Sequence, residues 1–321
     1  MRKVWIVALI FVLGGCGKNV ETQVAGVVGS EPDKALYEQA LKDLGRSRYT
    51  IARLTLNTLI STYPDSELLP EAKYAMAESF YREGATSNLN QAEAEFKDFI
   101  TFFPIHPRAD DAQLMIAMTH VRQIEKPDRD TTQAQLAEME LNRMIDSYPD
   151  SPLLDEAKDK LRQVQEVLAE GNFKVGNQYL IRKAYRAAMS RYREVLDKYP
   201  DFSRTSEVLF NLGEALRNTN NEQESAIYYG KIVSDYPYSA QVAEAKNHLT
   251  ELKMQIPEPN PAAVARGQQV VKEDKGIFGR FFGTFGRRPN VSTDTKASSV
   301  RDQESPPDEN KNNTLSIKKP R

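Results

Sequence analysis

Hydrophobic residues recur along this chain on one fixed ruler. With Ala188 as origin, an apolar residue follows at +4 (Tyr192), an apolar pair at +7 and +8 (Val195, Leu196), and Tyr199-Pro200 at +11 and +12. The same offsets fit Ala52 (Leu56, Leu59, Ile60, Tyr63-Pro64), Ala92 (Phe96, Phe99, Ile100, Phe103-Pro104) and Ala137 (Leu141, Met144, Ile145, Tyr148-Pro149). They also fit Ser225 (Tyr229, Ile232, Val233, Tyr236-Pro237). These positions share one face of a helix with 3.6 residues per turn. The proline stops each helix, because it lacks the amide and pushes the preceding residue out of the helical region. Five amphipathic helices of one design predict a repeat protein.

Between these helices the pattern predicts a partner helix in each repeat. Ser66, Ser151, Ser239 and His106 lie two residues beyond a repeat proline, where they read as N-caps, with Pro152 at the first helical position. Asn90 with Glu93, Thr132 with Gln135 and Asn221 with Glu224 have capping-box spacing. Ala72, Ala75, Ala77, Ala109, Ala112, Ala117, Ala157, Ala243 and Ala245 let the partner helices approach closely. Successive repeat prolines are 40, 45, 51 and 37 residues apart, looser than the period of about 34 in tetratricopeptide repeats but with the same helix–turn–helix logic. The longest interval holds a first helix from Leu153 to about Leu180, expected to be interrupted near Gly171 and Gly176. A last helix, about 239–254, caps the stack. The fold class is all-α: a tetratricopeptide-like solenoid of about five repeats and ten or eleven helices, residues 34–256, with a disordered C-terminal tail.

The ends read differently. Arg2 and Lys3, the apolar run Val4–Leu13 and Leu13-Gly14-Gly15-Cys16 have the layout of a signal peptide, residues 1–15. Small residues before a cysteine resemble the bacterial lipobox, so Cys16 is expected to carry covalent lipid; the bland alternative is an ordinary signal peptide with a chance cysteine. Gly17 rather than aspartate favours export to the outer membrane in Gram-negative lipoproteins. Residues 16–33 form a tether of small and polar residues. From Pro257 to Arg321 the chain is rich in Pro, Ser and Asn and reads as disordered. Within it, the Phe/Arg cluster 276–288 is either a docking motif or a linker with scattered aromatics.

Charge and composition narrow the function. The chain has 43 Lys/Arg against 45 Asp/Glu. Residues 17–256 carry a net −8 and the tail +4, an acidic body that argues against nucleic acid. Cys16 is the one cysteine, so no disulfide framework exists, and His106, His120 and His248 lack metal-pair spacing. No phosphate loop or nucleophile motif is present. An enzyme is not expected, nor any cofactor beyond the lipid on Cys16. Asp128-Arg129-Asp130 reads as a loop ion cluster, with Arg129 bridging two carboxylates, rather than as a catalytic carboxylate pair. The repeat tyrosines Tyr63, Tyr148, Tyr199 and Tyr236 read as core seals between repeats.

With these residues in place, the chain resembles the BamD family, lipoproteins of the outer-membrane β-barrel assembly machinery. The likeness covers about residues 13–256 and rests on the lipobox, the tether and the Tyr-Pro-stopped repeats. More specific are Pro127-Asp128-Arg129-Asp130 with Thr132, and the run Leu168-Ala169-Glu170, Val175-Gly176, Tyr179-Leu180, Tyr185, Ala187-Ala188 and Arg191. The resemblance implies a non-enzymatic scaffold, lipid-anchored on the periplasmic face of the outer membrane. Its partners would be a POTRA domain of BamA, other lipoproteins of the complex and unfolded outer-membrane proteins. Arg191 matches the family's arginine in the half that faces BamA; its bland reading is an i,i+3 pair with Glu194. Tyr37, Tyr74 and Tyr81, on first helices of the N-terminal pairs, are candidates for a client-peptide groove. A different tetratricopeptide lipoprotein, one coordinating cell-wall synthesis with envelope constriction, is the alternative; the tail has no counterpart in the family.

Overall fold

The computed structural model describes residues 31–265; Cys16, the signal segment and the cluster 276–288 lie outside the described residues. Over residues 32–251 eleven helices follow one another: α1 (Pro32–Gly45), α2 (Tyr49–Thr62), α3 (Leu69–Glu83), α4 (Thr86–Phe102), α5 (Ala109–Val121), α6 (Thr132–Ser147), α7 (Leu154–Ile181), α8 (Tyr185–Lys198), α9 (Thr205–Arg217), α10 (Glu222–Asp235) and α11 (Val242–Glu251). Each packs on its neighbours in sequence, giving five helix pairs capped by α11.

The ruler is visible in the burial. Ala52, Ala92, Ala137, Ala188 and Ser225 are fully buried, as are the +4 and +7 residues, Phe96, Tyr192, Tyr229, Leu59, Met144, Val195 and Ile232 among them. The +8 residues Ile60, Ile100, Ile145 and Leu196 are half-buried flanks. Each helix ends on its aromatic residue with φ between −126° and −130° and ψ between 53° and 64°. The carbonyl of that residue then accepts an amide three residues on, as Tyr63 does from Ser66 at 3.1 Å and Tyr236 from Ser239 at 2.9 Å. Proline thus sits at the second position of a β-turn, where its fixed φ belongs.

The residue two beyond each proline does something other than cap a helix. Ser66 Oγ accepts from the Leu68 amide at 3.1 Å and Ser151 Oγ from Leu153 at 3.1 Å, both within the turn before the helix begins. His106 Nδ1 does the same for Arg108 at 3.2 Å. The same side chains reach back one repeat. Ser66 Oγ donates to Asp33 at 2.5 Å, Ser151 Oγ donates to Asp110 at 2.6 Å, and His106 Nε2 lies 3.6 Å from Glu71. Ser239 Oγ is buried with no hydrogen-bond partner. Pro152 belongs to the turn rather than to α7.

Two of the expected capping boxes shift as well. Asn90 lies inside α4, and Asp130 rather than Thr132 meets the amide at the start of α6. Asn221 is at the N-cap of α10 but makes no side-chain cap bond.

Helix α7 runs unbroken for 28 residues, contrary to the interruption expected at its glycines. A Cβ on Gly176 would lie 2.5 Å from the Tyr192 ring, and one on Gly171 2.7 Å from the Pro127 carbonyl. These glycines mark close approach, not a break. Packing also outlasts the expected limit at residue 256: the Asn260 amide donates to Ser234 O at 2.9 Å, and Ala263 is buried.

Burial of the repeat tyrosines has a pH consequence. Burial, followed by Glu138 and Glu194, pushes the Tyr199 phenol up to about 12, and burial raises Tyr192 and Tyr229 further. The unfolded chain loses these protons near pH 10, so between pH about 10 and 12 the native state holds more protons than the unfolded one. Stability from this source is complete below pH about 10 and is lost as pH rises through the folded value. Melting temperature is expected to fall steeply over that window, less so in Tyr199→Phe; identical pH profiles would contradict it.

Candidate partner-binding site

Aromatic residues on the first helix of a pair are held from the next first helix by arginine. Tyr74 on α3 is buried, its ring edge-on to Phe96 and Phe99 at 5.3 and 5.5 Å between centroids. Its hydroxyl donates to Asp111 at 2.7 Å, and the Arg108 guanidinium stacks 3.3 Å from its ring centre. Arg108 also lies 3.3 Å from Glu71 and 3.3 Å from Asp111. Burial, then Asp111, raises the Tyr74 pKa well above its usual range.

The same arrangement returns two pairs later. Arg204 stacks 4.5 Å over Phe173, donates twice to buried Glu170 at 3.1 Å and chelates Glu207 at 2.8 and 2.6 Å. The shared signal is Glu-x-x-aromatic on one first helix and Arg-x-x-acid at the start of the next: Glu71/Tyr74 with Arg108/Asp111, then Glu170/Phe173 with Arg204/Glu207. That periodicity lies in the sequence, but only the stacked repeats give it meaning.

This geometry revises the expected client groove. Tyr74 and Tyr81 are buried, Tyr81 under the Arg122 guanidinium at 4.6 Å, and neither presents a ring to a peptide. Tyr37 is half-buried against the α1–α3 core. Tyr74 and Tyr81 seal successive pairs, because α3 is covered by the pair before and the pair after it.

The ion cluster at Asp128, Arg129 and Asp130 is also built differently. Arg129 pairs with Glu125 at 3.3 Å, four residues back in the same loop, and does not bridge the two aspartates. Asp130 instead accepts from the Thr132 amide at 2.9 Å and hydroxyl at 2.6 Å, bonds that lower its pKa. Adjacent side chains in a turn point apart, so Arg129 reaches the acid four residues away.

Arg191 lies on α8, in the half-buried zone facing α7. Its guanidinium donates to Glu194 at 3.0 Å and sits 3.5 Å from Asn172 Oδ1, while 43% of the side chain stays open to solvent. Lys198 also donates to Glu194, and that bond is the main cause of the lowered Glu194 pKa. The expected i,i+3 pair is therefore present, and it holds a half-exposed guanidinium in one place. Next to it, Tyr192 and Asn211 both donate to Asn177 Oδ1, at 2.6 and 2.9 Å, tying α7, α8 and α9 together. Among the described residues no group of three or more His, Cys, Asp or Glu is placed to hold a metal ion, and no helix is long and apolar enough to cross a membrane.

Comparison with known proteins places this architecture. The model of a family described as outer membrane lipoprotein, YfiO, matches residues 30–226. Among curated relatives, the outer membrane protein assembly factor BamD of Vibrio cholerae is 26% identical over 199 residues, covering 59% of this chain and 79% of the relative. The BamD of Rickettsia prowazekii is 23% identical over 228 residues, covering 71% and 88%. Similar solved structures include a tetratricopeptide repeat protein of Thermus thermophilus, 16% identical with a TM-score of 0.29 over 68% of this chain and 99% of that one. Another is the tetratricopeptide repeat domain of P58(IPK), 14% identical, TM-score 0.36, covering 84% and 69%. Because the family model spans all of α1 to α9 and part of α10, the chain belongs to the YfiO family of outer membrane lipoproteins, to which it is joined by its similarity to BamD assembly factors.

Proposed function

We propose that this protein is a non-enzymatic scaffold of outer-membrane protein assembly, anchored to the periplasmic face of the outer membrane by lipid on Cys16. The observation that carries the reading is the family match across the helix pairs, together with relatives named as assembly factors. A stack of pairs joined by arginine latches suits a scaffold: each pair holds its neighbours, and the stack offers long helix faces to partners.

In this reading a POTRA domain of BamA binds the fourth repeat through Arg191. Support comes from its half-exposed guanidinium, already oriented by Glu194 and Asn172. Unfolded outer-membrane clients and companion lipoproteins bind other parts of the stack. For clients, exposed Leu41, Ile51 and Leu54 on α1 and α2 offer apolar contact in place of the buried tyrosines.

Arg191→Glu sets the prediction. Reversing an exposed interface charge costs the partner complex on the order of 1–2 kcal/mol, about tenfold in Kd, and leaves helicity unchanged. Equal capture of the purified POTRA domain by both proteins would return Arg191 to a purely structural role, paired with Glu194 and set against Asn172.

A further inference from the structure

The longest acid-free run of the helix stack is strongly basic. From Gly171 to Arg193 there are six Lys/Arg and no Asp or Glu. Three of the six are compensated from elsewhere: Lys174 by Glu170 at 3.8 Å, Arg191 by Glu194 at 3.0 Å and Arg193 by Glu224 at 2.7 Å. The other three, Arg182, Lys183 and Arg186, are exposed and pair with no acid among the described residues. Arg182 and Lys183 occupy the turn between α7 and α8, directly after Ile181, which is 73% exposed, and Arg186 lies in the first turn of α8.

The turn is rigid. The Lys183 amide donates to Leu180 O and the Ala184 amide to Tyr179 O, both at 2.9 Å, and Tyr185 ties it to the next turn by donating to Asn218 at 3.1 Å. Three uncompensated cations and an apolar tip are therefore carried on an ordered backbone.

Charge is segregated along α8. At its far end, about 21 Å away for a 14-residue helix, lies the Tyr199-Pro200-Asp201 turn. Asp201, like Asp65 and Asp150 in the matching turns, is exposed without an ion-pair partner among the described residues. An anionic surface would repel that edge and attract the other.

We propose that the Ile181–Arg186 turn is a second membrane contact, in which Arg182, Lys183 and Arg186 meet anionic lipid headgroups and Ile181 enters the interface. Basic residues flanking an apolar side chain suit that boundary. The contact rests on the outer-membrane reading above but not on the role of Arg191. A lipid on Cys16 leaves orientation open, because the 15 residues from Cys16 to Glu31 can span up to about 50 Å. A basic turn on the fourth pair sets which edge of the stack faces the membrane.

The test uses the full chain with Cys16→Ser, which removes the one native thiol, so that Ile181→Cys or Lys158→Cys carries a single environment-sensitive dye. Lys158 is an exposed residue near the other end of α7. On vesicles of phosphatidylglycerol and phosphatidylethanolamine, emission from position 181 shifts to the blue, while position 158 stays in water. On phosphatidylcholine neither moves. Both labels share any contact made by the N-terminal segment, so a difference between them reports the turn alone. In unlabelled protein that retains Ile181, Arg182→Gln/Lys183→Gln/Arg186→Gln lowers partition onto anionic vesicles by on the order of a hundredfold, at roughly fivefold per cation. A water-exposed dye at 181 on anionic vesicles, equal shifts at 181 and 158, or unchanged partition of the triple variant would overturn the proposal. Each of those results leaves partner capture through Arg191 untouched.

Discussion

Arg204→Met is expected to destabilise the fold by about 3 kcal/mol, at the lower end for breaking a buried ion pair from one side. Glu170 is buried, and both its oxygens accept from Arg204 at 3.1 Å. Without the arginine its remaining cation is Lys174, at 3.8 Å. The same change removes the stack over Phe173 and the two bonds to Glu207. Lysine at this position cannot reproduce the planar fork, so Arg204→Lys recovers little. The double variant Arg204→Met/Glu170→Met separates charge from packing: it should regain most of the loss, because no buried carboxylate is left alone. Urea denaturation of the three proteins checks this. An Arg204→Met midpoint within error of the parent would show that the latch between first helices carries no energy.

Gly176→Leu is the second large effect, about 3 kcal/mol, the upper end for overpacking a core. The Tyr192 ring that the new side chain would meet cannot swing away. It is fully buried, its hydroxyl is fixed to Asn177 at 2.6 Å, and Phe173 lies 6.0 Å from it, centroid to centroid. Gly176→Ala carries the same clash with a smaller body, partly offset by roughly 1 kcal/mol of better helix propensity. The order of melting temperatures should be parent, alanine, leucine. If Gly176→Ala is more stable than the parent, the glycine serves no close approach.

These two sites also mark where sequence reasoning reaches its limit. The second helices are legible in detail, because each buries one face and leaves the other in water; Ala52, Leu56 and Leu59 and their equivalents show that stripe in unbroken register. The first helices α3 and α5 carry no such stripe. In α3, Ala72, Tyr74, Ala75, Met76, Ala77, Ser79 and Tyr81 are all buried, since neighbouring pairs cover the helix from both sides. A helix covered nearly all round has no amphipathic period to read, so Tyr74 and Tyr81 look like open contact residues in the sequence. Gly171 and Gly176 mislead for a related reason: propensity treats glycine as a break, whereas here a neighbouring carbonyl and ring need the space of a missing Cβ. The arginine latch spans 37 residues between Glu71 and Arg108 and 34 between Glu170 and Arg204, a separation visible only once the repeats are stacked.

The Tyr-Pro stops are legible for a local reason. Proline's effect on the residue before it depends on nothing distant, and five helices end in the same backbone geometry. The turn serines show the opposite case. Their place in the chain is evident, but their bonds to Asp33 and Asp110 join different repeats.

The scaffold reading is tested most directly by affinity purification of the full-length protein in gentle detergent, with bound proteins identified by mass spectrometry. A barrel protein bearing POTRA domains should emerge as the main stoichiometric partner, and its recovery should fall with Arg191→Glu. Cell-wall synthases or energy-transducing envelope proteins in that place, with no POTRA-bearing barrel, would contradict the account and assign the stack to envelope constriction instead.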